Sequence, residues 1–156
     1  MGSQVARIGS AFEMNLIAWS QNLTPEASNA AGATLISMDH LFERADILTV
    51  HLVLSGRTRG LVGLAELERM KPTAWLINAS RGPIVEEQAL INVLKNKQIA
   101  GAAIDAFDIE PLPPSHPFRT LDNVLATLHI GYVSHGLYKT FYEDSVSNIR
   151  KWLDTH

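Results

Sequence analysis

Three side chains that could act together each follow an apolar run predicted to be a strand. They are Arg81, Glu110 and His129. A ligand in an open parallel sheet lies beyond the carboxyl ends of the strands, so these side chains could meet there. An imidazole takes up and releases protons near neutral pH, a carboxylate favours its protonated form, and a guanidinium binds a carboxylate through two parallel hydrogen bonds. Each residue alone fits an ordinary loop position, so only the set of three makes this a candidate site.

The elements that would position these side chains follow from an alternation of short apolar runs and amphipathic stretches. This alternation is typical of βα units that build a parallel sheet covered on both faces. Strands are predicted over residues 16–19, 34–36, 47–52, 74–78, 99–104 and 124–127. Helices are predicted over residues 3–14, from Pro25 after a Thr24 cap to Gly32, 38–45 after Ser37, 64–70 and 86–97. Since no repeat or linker is visible, residues 1–156 are interpreted as one α/β domain.

Two segments carry other patterns. Residues 105–123 contain four prolines within seven positions, which predicts a loop without regular structure. A long helix is predicted from about Ser134, with a mostly apolar stripe formed by Tyr138, Phe141, Tyr142, Ser145, Ile149, Trp152 and Leu153. The stripe fits packing on its own domain, and it also fits an interface with a second subunit or domain.

Composition excludes several classes of protein. The chain is 46% hydrophobic and 19% charged, with a formal net charge of −3 and no cysteine. These values exclude disulfide scaffolds and thiol catalysis, and they predict a cytoplasmic protein that binds neither nucleic acid nor membrane. The sequence contains no apolar run of membrane-spanning length, no export signal and no metal-ligand spacing. A serine hydrolase is unsupported, because no Gly-x-Ser-x-Gly motif occurs.

Several short motifs, in order along the chain, resemble those of the D-isomer-specific 2-hydroxyacid dehydrogenases. The motifs are Val50-His51-Leu52, Thr58-Arg59-Gly60-Leu61-Val62, Met70-Lys71-Pro72, the Arg81 segment through Ile84-Val85, Gly101-Ala102-Ala103-Ile104-Asp105 and His129-Ile130-Gly131. The resemblance implies a Rossmann-like, doubly wound parallel sheet that binds NAD or NADP. It also implies hydride transfer between the nicotinamide and a small 2-hydroxy or 2-oxo acid.

The resemblance implies a role for each matched residue. His129 would be the acid/base, Glu110 would orient it, and Arg81 would hold the substrate carboxylate and polarise the carbonyl. Five positions match the cofactor site: Gly2 in the glycine fingerprint, Ser20 beside the adenosine ribose, His51 at a strand end, Asp105 near the nicotinamide carboxamide, and Gly131. Ser20 is neutral and has no neighbouring Lys or Arg, so the choice between NAD and NADP stays open. For Asp105, a role as a turn or helix cap is the alternative.

The chain also departs from the family pattern. Only Gly2 of the Gly-x-Gly-x-x-Gly fingerprint is present, and Leu128 stands where the family often has proline before the histidine. We therefore expect an N-terminally truncated domain that lacks the first strand, the start of the glycine-rich loop and the substrate domain. Such a chain is predicted to have little or no activity alone.

Two other hypotheses come from different functional classes. A non-catalytic module could keep the scaffold for self-association or cofactor sensing, and a structural fragment could bind no ligand. The intact Arg81, Glu110 and His129 favour the enzyme, whereas the missing glycines favour the alternatives. A homo-oligomer is predicted, because exposed strand edges and the aromatic helix both need to be covered.

Overall fold

Six short strands alternate with α-helices along residues 1–155, the part of the chain that the computed structural model describes. The strands are β1 Ile17–Ala18, β2 Thr34–Leu35, β3 Ile47–Val50, β4 Trp75–Asn78, β5 Gly101–Ile104 and β6 Val124–Ala126. The helices are α1 Gly2–Ala11, α2 Pro25–Ala30, α3 Met38–Arg44, α4 Leu64–Leu67, α5 Glu87–Lys95 and α6 His135–Thr155. Every predicted strand and helix is present, most of them shorter than predicted.

Local signals account for several boundaries. Thr24 and Ser37 cap α2 and α3 as predicted, because their hydroxyl oxygens accept hydrogen bonds from backbone N–H groups three residues later, at 3.2 and 3.3 Å. Gly32 has a positive φ of 75°, which lets the chain turn from α2 into β2. The proline-rich segment contains a 3₁₀ helix at Pro117–Arg119, so the prediction of no regular structure there was wrong at those three residues.

The strands form two separate parallel sheets. One has the order β3-β4-β5-β6, and the other contains β1 and β2. Within residues 1–155 no strand hydrogen-bonds to both β1 and β3. The predicted α/β class with parallel strands is confirmed. The carboxyl ends of β4, β5 and β6 lie side by side and carry the segments that contain the three candidate residues.

The core lies on one face of the four-stranded sheet. Leu48, Leu76 and Ala102 point to this face and pack with buried side chains of α3, α4 and α5. On the other face Ile47, Trp75 and Leu125 are 53%, 42% and 62% exposed. The expectation that both faces are covered is therefore not met within the described residues, because no helix among them packs over this face.

Helix α6 lies apart from the core. None of its described residues is buried, and the large apolar side chains of its stripe are exposed. The interpretation that the stripe packs on its own domain is therefore wrong. Among residues 1–155, no helix combines the length and apolar character needed to cross a bilayer.

Candidate active site

Glu110 and His129 are in direct contact beyond the ends of β5 and β6. His129 Nδ1 lies 2.8 Å from Glu110 Oε2 and 3.0 Å from Oε1. The two side chains are 32% and 38% exposed, for His129 and Glu110 respectively. The fold thus joins two residues that are 19 positions apart in the sequence, at a place that remains open to solvent.

The surroundings of Glu110 keep its carboxyl group ionised. The Phe107 backbone N–H donates to Glu110 Oε1 at 3.0 Å. This bond contributes most to lowering the pKa of Glu110, and the His129 hydrogen bond comes next. Burial raises the pKa, and the charges of His129 and Arg81 lower it further. An ionised carboxylate only accepts hydrogen bonds, so Nδ1 of His129 carries a proton. Nε2 is then the ring nitrogen that can take up or release one.

Asp105 holds the backbone that carries His129. Asp105 Oδ1 accepts from Thr127 Oγ1 at 2.6 Å and from the Ile130 N–H at 2.9 Å, and Oδ2 accepts from the Gly131 N–H at 2.8 Å. His129 itself has a positive φ of 55°, a conformation that is uncommon for non-glycine residues. The Asp105 contacts on both sides of His129 fix this turn.

The charge of Asp105 is maintained despite its burial. Desolvation raises its pKa, but the hydrogen bonds from Thr127, Gly131 and Ile130 and the nearby charge of His129 outweigh this effect, and the pKa is lowered. A Cβ atom at Gly131 would lie 2.8 Å from Asp105 Oδ2, so only glycine permits this approach. Asp105 therefore has the capping role that the sequence left as an alternative.

Arg81 is positioned through its backbone by Asn78. The buried Asn78 side chain donates from Nδ2 to the Arg81 carbonyl at 3.0 Å and accepts from the Ser80 N–H at 3.1 Å. The Arg81 guanidinium is exposed and donates to the Ser80 carbonyl at 2.7 Å. It forms no ion pair with Glu110 within the described chain, although its charge is near enough to lower the pKa of Glu110. The fold thus brings Arg81 towards the other two residues without direct contact.

Gly82 joins the Arg81 segment to the Glu110 segment. A Cβ atom built at Gly82 would lie 2.2 Å from the Phe107 carbonyl carbon and 2.6 Å from the Asp108 nitrogen. The two backbones therefore pack against each other with no room for a side chain. Sequence analysis missed Asn78, Gly82, Phe107 and Thr127. For Asn78 a signal was available, since it is a polar residue at the end of an apolar strand.

The remaining predicted cofactor residues lie near the other strand ends. Gly2 packs on His51, because a Cβ at Gly2 would be 3.6 Å from His51 Cβ. Burial lowers the pKa of His51, and the positive N-terminal amine lowers it further. Ser20 is half-buried beyond β1, and no side-chain hydrogen bond links it to Gly2 or His51 in the described part of the chain.

A cavity of about 300 Å³ opens beside Asp105. Its walls are mostly apolar and include Ile77, Ala79, Ala103 and Leu125. An apolar cavity with a carboxylate at its edge fits a flat ring that carries an amide donor. No cluster of three or more His, Asp or Glu side chains that could hold a metal ion occurs in residues 1–155.

Comparisons with known proteins show the family to which the sequence is similar. The family described as D-isomer specific 2-hydroxyacid dehydrogenase, NAD binding domain, matches residues 1–131. Glyoxylate reductase of Aeropyrum pernix is 43% identical over 129 residues, which are 83% of this chain and 38% of that protein. The chain thus spans well under half the length of this relative.

Solved structures share the fold. A phosphoglycerate oxidoreductase from Vibrio cholerae superposes with a TM-score of 0.91 and 31% identity, over 99% of this chain and 50% of that chain. A D-isomer specific 2-hydroxyacid dehydrogenase from Lactobacillus delbrueckii, in its NAD complexed form, has a TM-score of 0.75 and 32% identity, over 85% of this chain and 44% of that chain.

Proposed function

Because the chain belongs to the D-isomer specific 2-hydroxyacid dehydrogenase family, in its NAD-binding domain, we propose that it forms the cofactor-binding part of an NAD-dependent dehydrogenase. The reaction would interconvert a 2-hydroxy acid and the corresponding 2-oxo acid. The observation that carries this proposal is the 2.8 Å contact between Glu110 and His129 at the strand ends. A protonated Nδ1 that faces a carboxylate leaves Nε2 for proton transfer, as this reaction requires.

His129 would move the proton. In the oxidation, Nε2 accepts the proton of the substrate hydroxyl while a hydride leaves the same carbon, and in the reduction it donates that proton back. Bound NAD supplies the acceptor for the hydride. The Glu110 carboxylate stabilises the imidazolium that forms, and the hydrogen bond from Phe107 holds the carboxylate in place. These roles require an ionised Glu110, and the lowered pKa of this carboxyl is consistent with them.

Arg81 would bind the substrate. Its guanidinium has the planar geometry for a carboxylate and the charge to polarise an adjacent carbonyl group. The side chain is exposed, and its guanidinium donates one hydrogen bond to the Ser80 carbonyl. It is therefore available to turn towards a 2-oxo acid while Asn78 keeps the backbone fixed.

The cavity beside Asp105 fits the nicotinamide part of the cofactor. Asp105 Oδ2 accepts one hydrogen bond from the Gly131 N–H, so it has capacity for a second from a carboxamide. Gly2, Ser20 and His51 remain the proposed residues for the rest of the cofactor. NAD is the cofactor of the family and NADP is the alternative, since the neutral Ser20 would not repel a 2′-phosphate.

A cavity-filling substitution tests the cofactor proposal. Ala79 is exposed at the cavity, so Ala79→Leu would fill it without disturbing the core. Thr73→Leu adds the same side chain at the exposed opposite end of β4 and serves as the matched control. We expect the fluorescence titration of NADH to weaken by about tenfold or more for Ala79→Leu, equivalent to about 1.4 kcal/mol. Equal affinities for the two variants, or no NADH binding by the parent chain, would contradict the proposal.

Turnover is tested separately with glyoxylate, hydroxypyruvate and phenylpyruvate. We expect the 156-residue chain alone to bind cofactor but reduce these acids slowly, because its Glu110–His129 pair is open to water. Any turnover is expected to be lost in His129→Ala. Turnover that survives this substitution would contradict the assigned role of His129.

A second candidate function is a non-catalytic self-association module. It is favoured by the exposed stripe of α6 and by the uncovered sheet face. We propose a cytoplasmic homo-oligomer in either case, with small 2-hydroxy or 2-oxo acids as the substrate class. NADH binding that changes the oligomer size without any turnover would favour the module over the enzyme.

A further inference from the structure

The segment between β5 and β6 must hold Glu110 in place with little regular structure. It comprises residues 105–123, and its one helical element is the 3₁₀ turn Pro117–Arg119. Strand ladders therefore do not fix its position, and side-chain contacts must do so. One of these contacts, which the proposed mechanism does not use, joins His116 in this segment to Glu87 in α5.

The His116–Glu87 contact is short and shielded. His116 Nε2 lies 3.0 Å from Glu87 Oε1, and the side chains are 13% and 25% exposed, respectively. The Phe118 N–H donates to His116 Nδ1 at 3.2 Å, so Nδ1 is the acceptor nitrogen and Nε2 carries the proton towards Glu87. This hydrogen bond to a carboxylate needs no charge on the imidazole. It can therefore act at neutral and mildly alkaline pH.

Both partners have rigid supports. Glu87 lies in the first turn of α5, whose Leu90, Ile91 and Leu94 are buried in the core. The His116 ring packs on the Phe118 ring with 4.9 Å between centroids, and Phe118 is itself buried. The contact thus ties the proline-rich segment to a helix that cannot move without disturbing the core.

Two other charged groups face this contact. Burial raises the pKa of Asp108, and the charge of the nearby Glu87 raises it further. The Arg59 charge opposes that shift. The nearby Asp108 carboxylate repels the charge of Glu87, whereas the His116 N–H offers that charge a hydrogen-bond donor.

The chain between His116 and Glu110 is stiff. Three of the five intervening residues are Pro111, Pro113 and Pro114, whose φ angles are fixed by their rings. Leu112 is buried, and the Arg119 guanidinium donates to the Leu112 and Pro113 carbonyls at 2.6 and 2.9 Å. On the other side of Glu110, the Phe107 backbone is packed against Gly82. A displacement of His116 would therefore be passed to Glu110.

We propose that His116 and Glu87 are positioning residues whose contact keeps Glu110 against His129. They touch neither cofactor nor substrate in this role, and act through the proline-rich segment. The importance of the Glu110–His129 pair rests on the proposed function, but the positioning effect itself is measurable without any turnover.

The test reads which nitrogen of the His129 ring carries the proton. Ring ¹⁵N NMR distinguishes the two neutral tautomers of a histidine, and the spectra are compared at mildly alkaline pH, where glutamate stays ionised. In the parent chain we expect His129 to be protonated on Nδ1, because Glu110 accepts from it. His116→Leu and Glu87→Ala are expected to convert a measurable part of the population to the Nε2–H tautomer. Glu87→Gln keeps an acceptor oxygen for His116, so it should keep more of the Nδ1–H tautomer of His129 than Glu87→Ala does.

Hydrogen exchange gives a second readout in the same samples. The Phe107 N–H donates to Glu110, so its exchange should become about tenfold faster when the segment loosens. His40→Leu is the matched control, because His40 is exposed on α3 and makes no side-chain contact with this segment in the described chain. This control should change neither the tautomer nor the exchange rate.

Glu110→Ala separates the two proposals. If Glu110→Ala changes the His129 tautomer but His116→Leu, Glu87→Ala and Glu87→Gln all leave it unchanged, the positioning proposal is overturned while the pair itself stands. If Glu110→Ala also leaves the tautomer unchanged, the pair does not exist in solution, and both proposals fail. A folded Glu87→Ala chain, which also removes the contact, keeps the test valid should His116→Leu not fold.

Discussion

Two carboxylates at the site differ in what they bind, and this difference separates their roles. Glu110 is partly exposed and contacts the His129 ring. Asp105 is buried and accepts from the backbone N–H groups of Ile130 and Gly131, which follow His129 in the chain. The first is placed to influence proton transfer. The second fixes the turn in which His129 has a positive φ.

The charge of Glu110 should make stability depend on pH. Its pKa is lowered in the folded chain, chiefly by the Phe107 N–H, so the ionised carboxylate stabilises the fold above the unfolded pKa of about 4.3. This contribution is lost as pH falls through the folded pKa. In urea unfolding, we expect Glu110→Gln to be less stable than the parent near pH 7 and to approach it in acid. Asp122→Asn, at an exposed ion pair with Lys97, is the control, and a pH-independent difference for Glu110→Gln would contradict this account.

Asp105→Asn should destabilise the chain measurably. An asparagine can keep one acceptor oxygen for Thr127 and Ile130, but its NH₂ group would then face the Gly131 N–H, and two donors would oppose each other. We expect a loss of about 1–3 kcal/mol in the free energy of unfolding. Asp46→Asn removes a carboxylate that is 80% exposed and should change stability by less than about 1 kcal/mol. Similar losses for the two variants would show that Asp105 does not hold the turn.

At the scale of elements, the site is assembled from strand ends and the segments after them. Asn78 at the end of β4 folds the Arg81 segment, and Asp105 after β5 folds the segment that follows β6. β4 and β5 therefore each have, at or after their carboxyl end, one candidate side chain for chemistry and one that shapes the backbone. Gly82 connects two of these segments through direct backbone packing.

Gly82→Ala tests this packing. The added methyl group would lie 2.2 Å from the Phe107 carbonyl carbon, so one of the two backbones must move. We expect a loss of about 1–3 kcal/mol or more, since overpacking a close contact forces backbone shifts. Thermal unfolding measures the change, and Gly56→Ala is the control because no heavy atom lies within 4 Å of its added Cβ. A Gly82→Ala chain as stable as Gly56→Ala would contradict the close approach.

At the scale of the whole molecule, two apolar surfaces remain uncovered. One is the sheet face with Ile47, Trp75 and Leu125, and the other is the stripe along α6. Exposed apolar areas of this kind mark interaction sites. The core on the opposite sheet face, by contrast, is closed by α3, α4 and α5.

The exposed stripe leads us to expect self-association. Sedimentation at tens of micromolar should show a species larger than the monomer, and replacing Phe141 and Ile149 together by serine should shift it towards monomer. Asp144→Ser, outside the stripe on the same helix, should have no such effect. Because no residue of α6 is buried, none of these changes should lower the unfolding temperature of the core. A parent chain that is monomeric at these concentrations would refute the expectation.

Sequence and structure agree best where the signal is local. The caps Thr24 and Ser37 were identified because capping depends on atoms within three residues, and the six strands because apolar runs of that length have few alternatives. Predictions about packing were weaker. The uncovered sheet face and the exposed α6 both differ from expectation, since periodicity indicates an apolar side but does not say what covers it.

The amino-acid sequence by itself determined the order of the α/β elements and the family, and it predicted Arg81, Glu110 and His129 as one candidate set. Only the tertiary structure decided that Glu110 meets His129, that Asp105 caps the turn, and that Arg81 stays apart from both. The physical reason is the distance along the sequence between the residues that interact. Helix caps and strand patterns depend on neighbours along the chain, whereas these contacts join residues that approach only when parallel strands align their carboxyl ends.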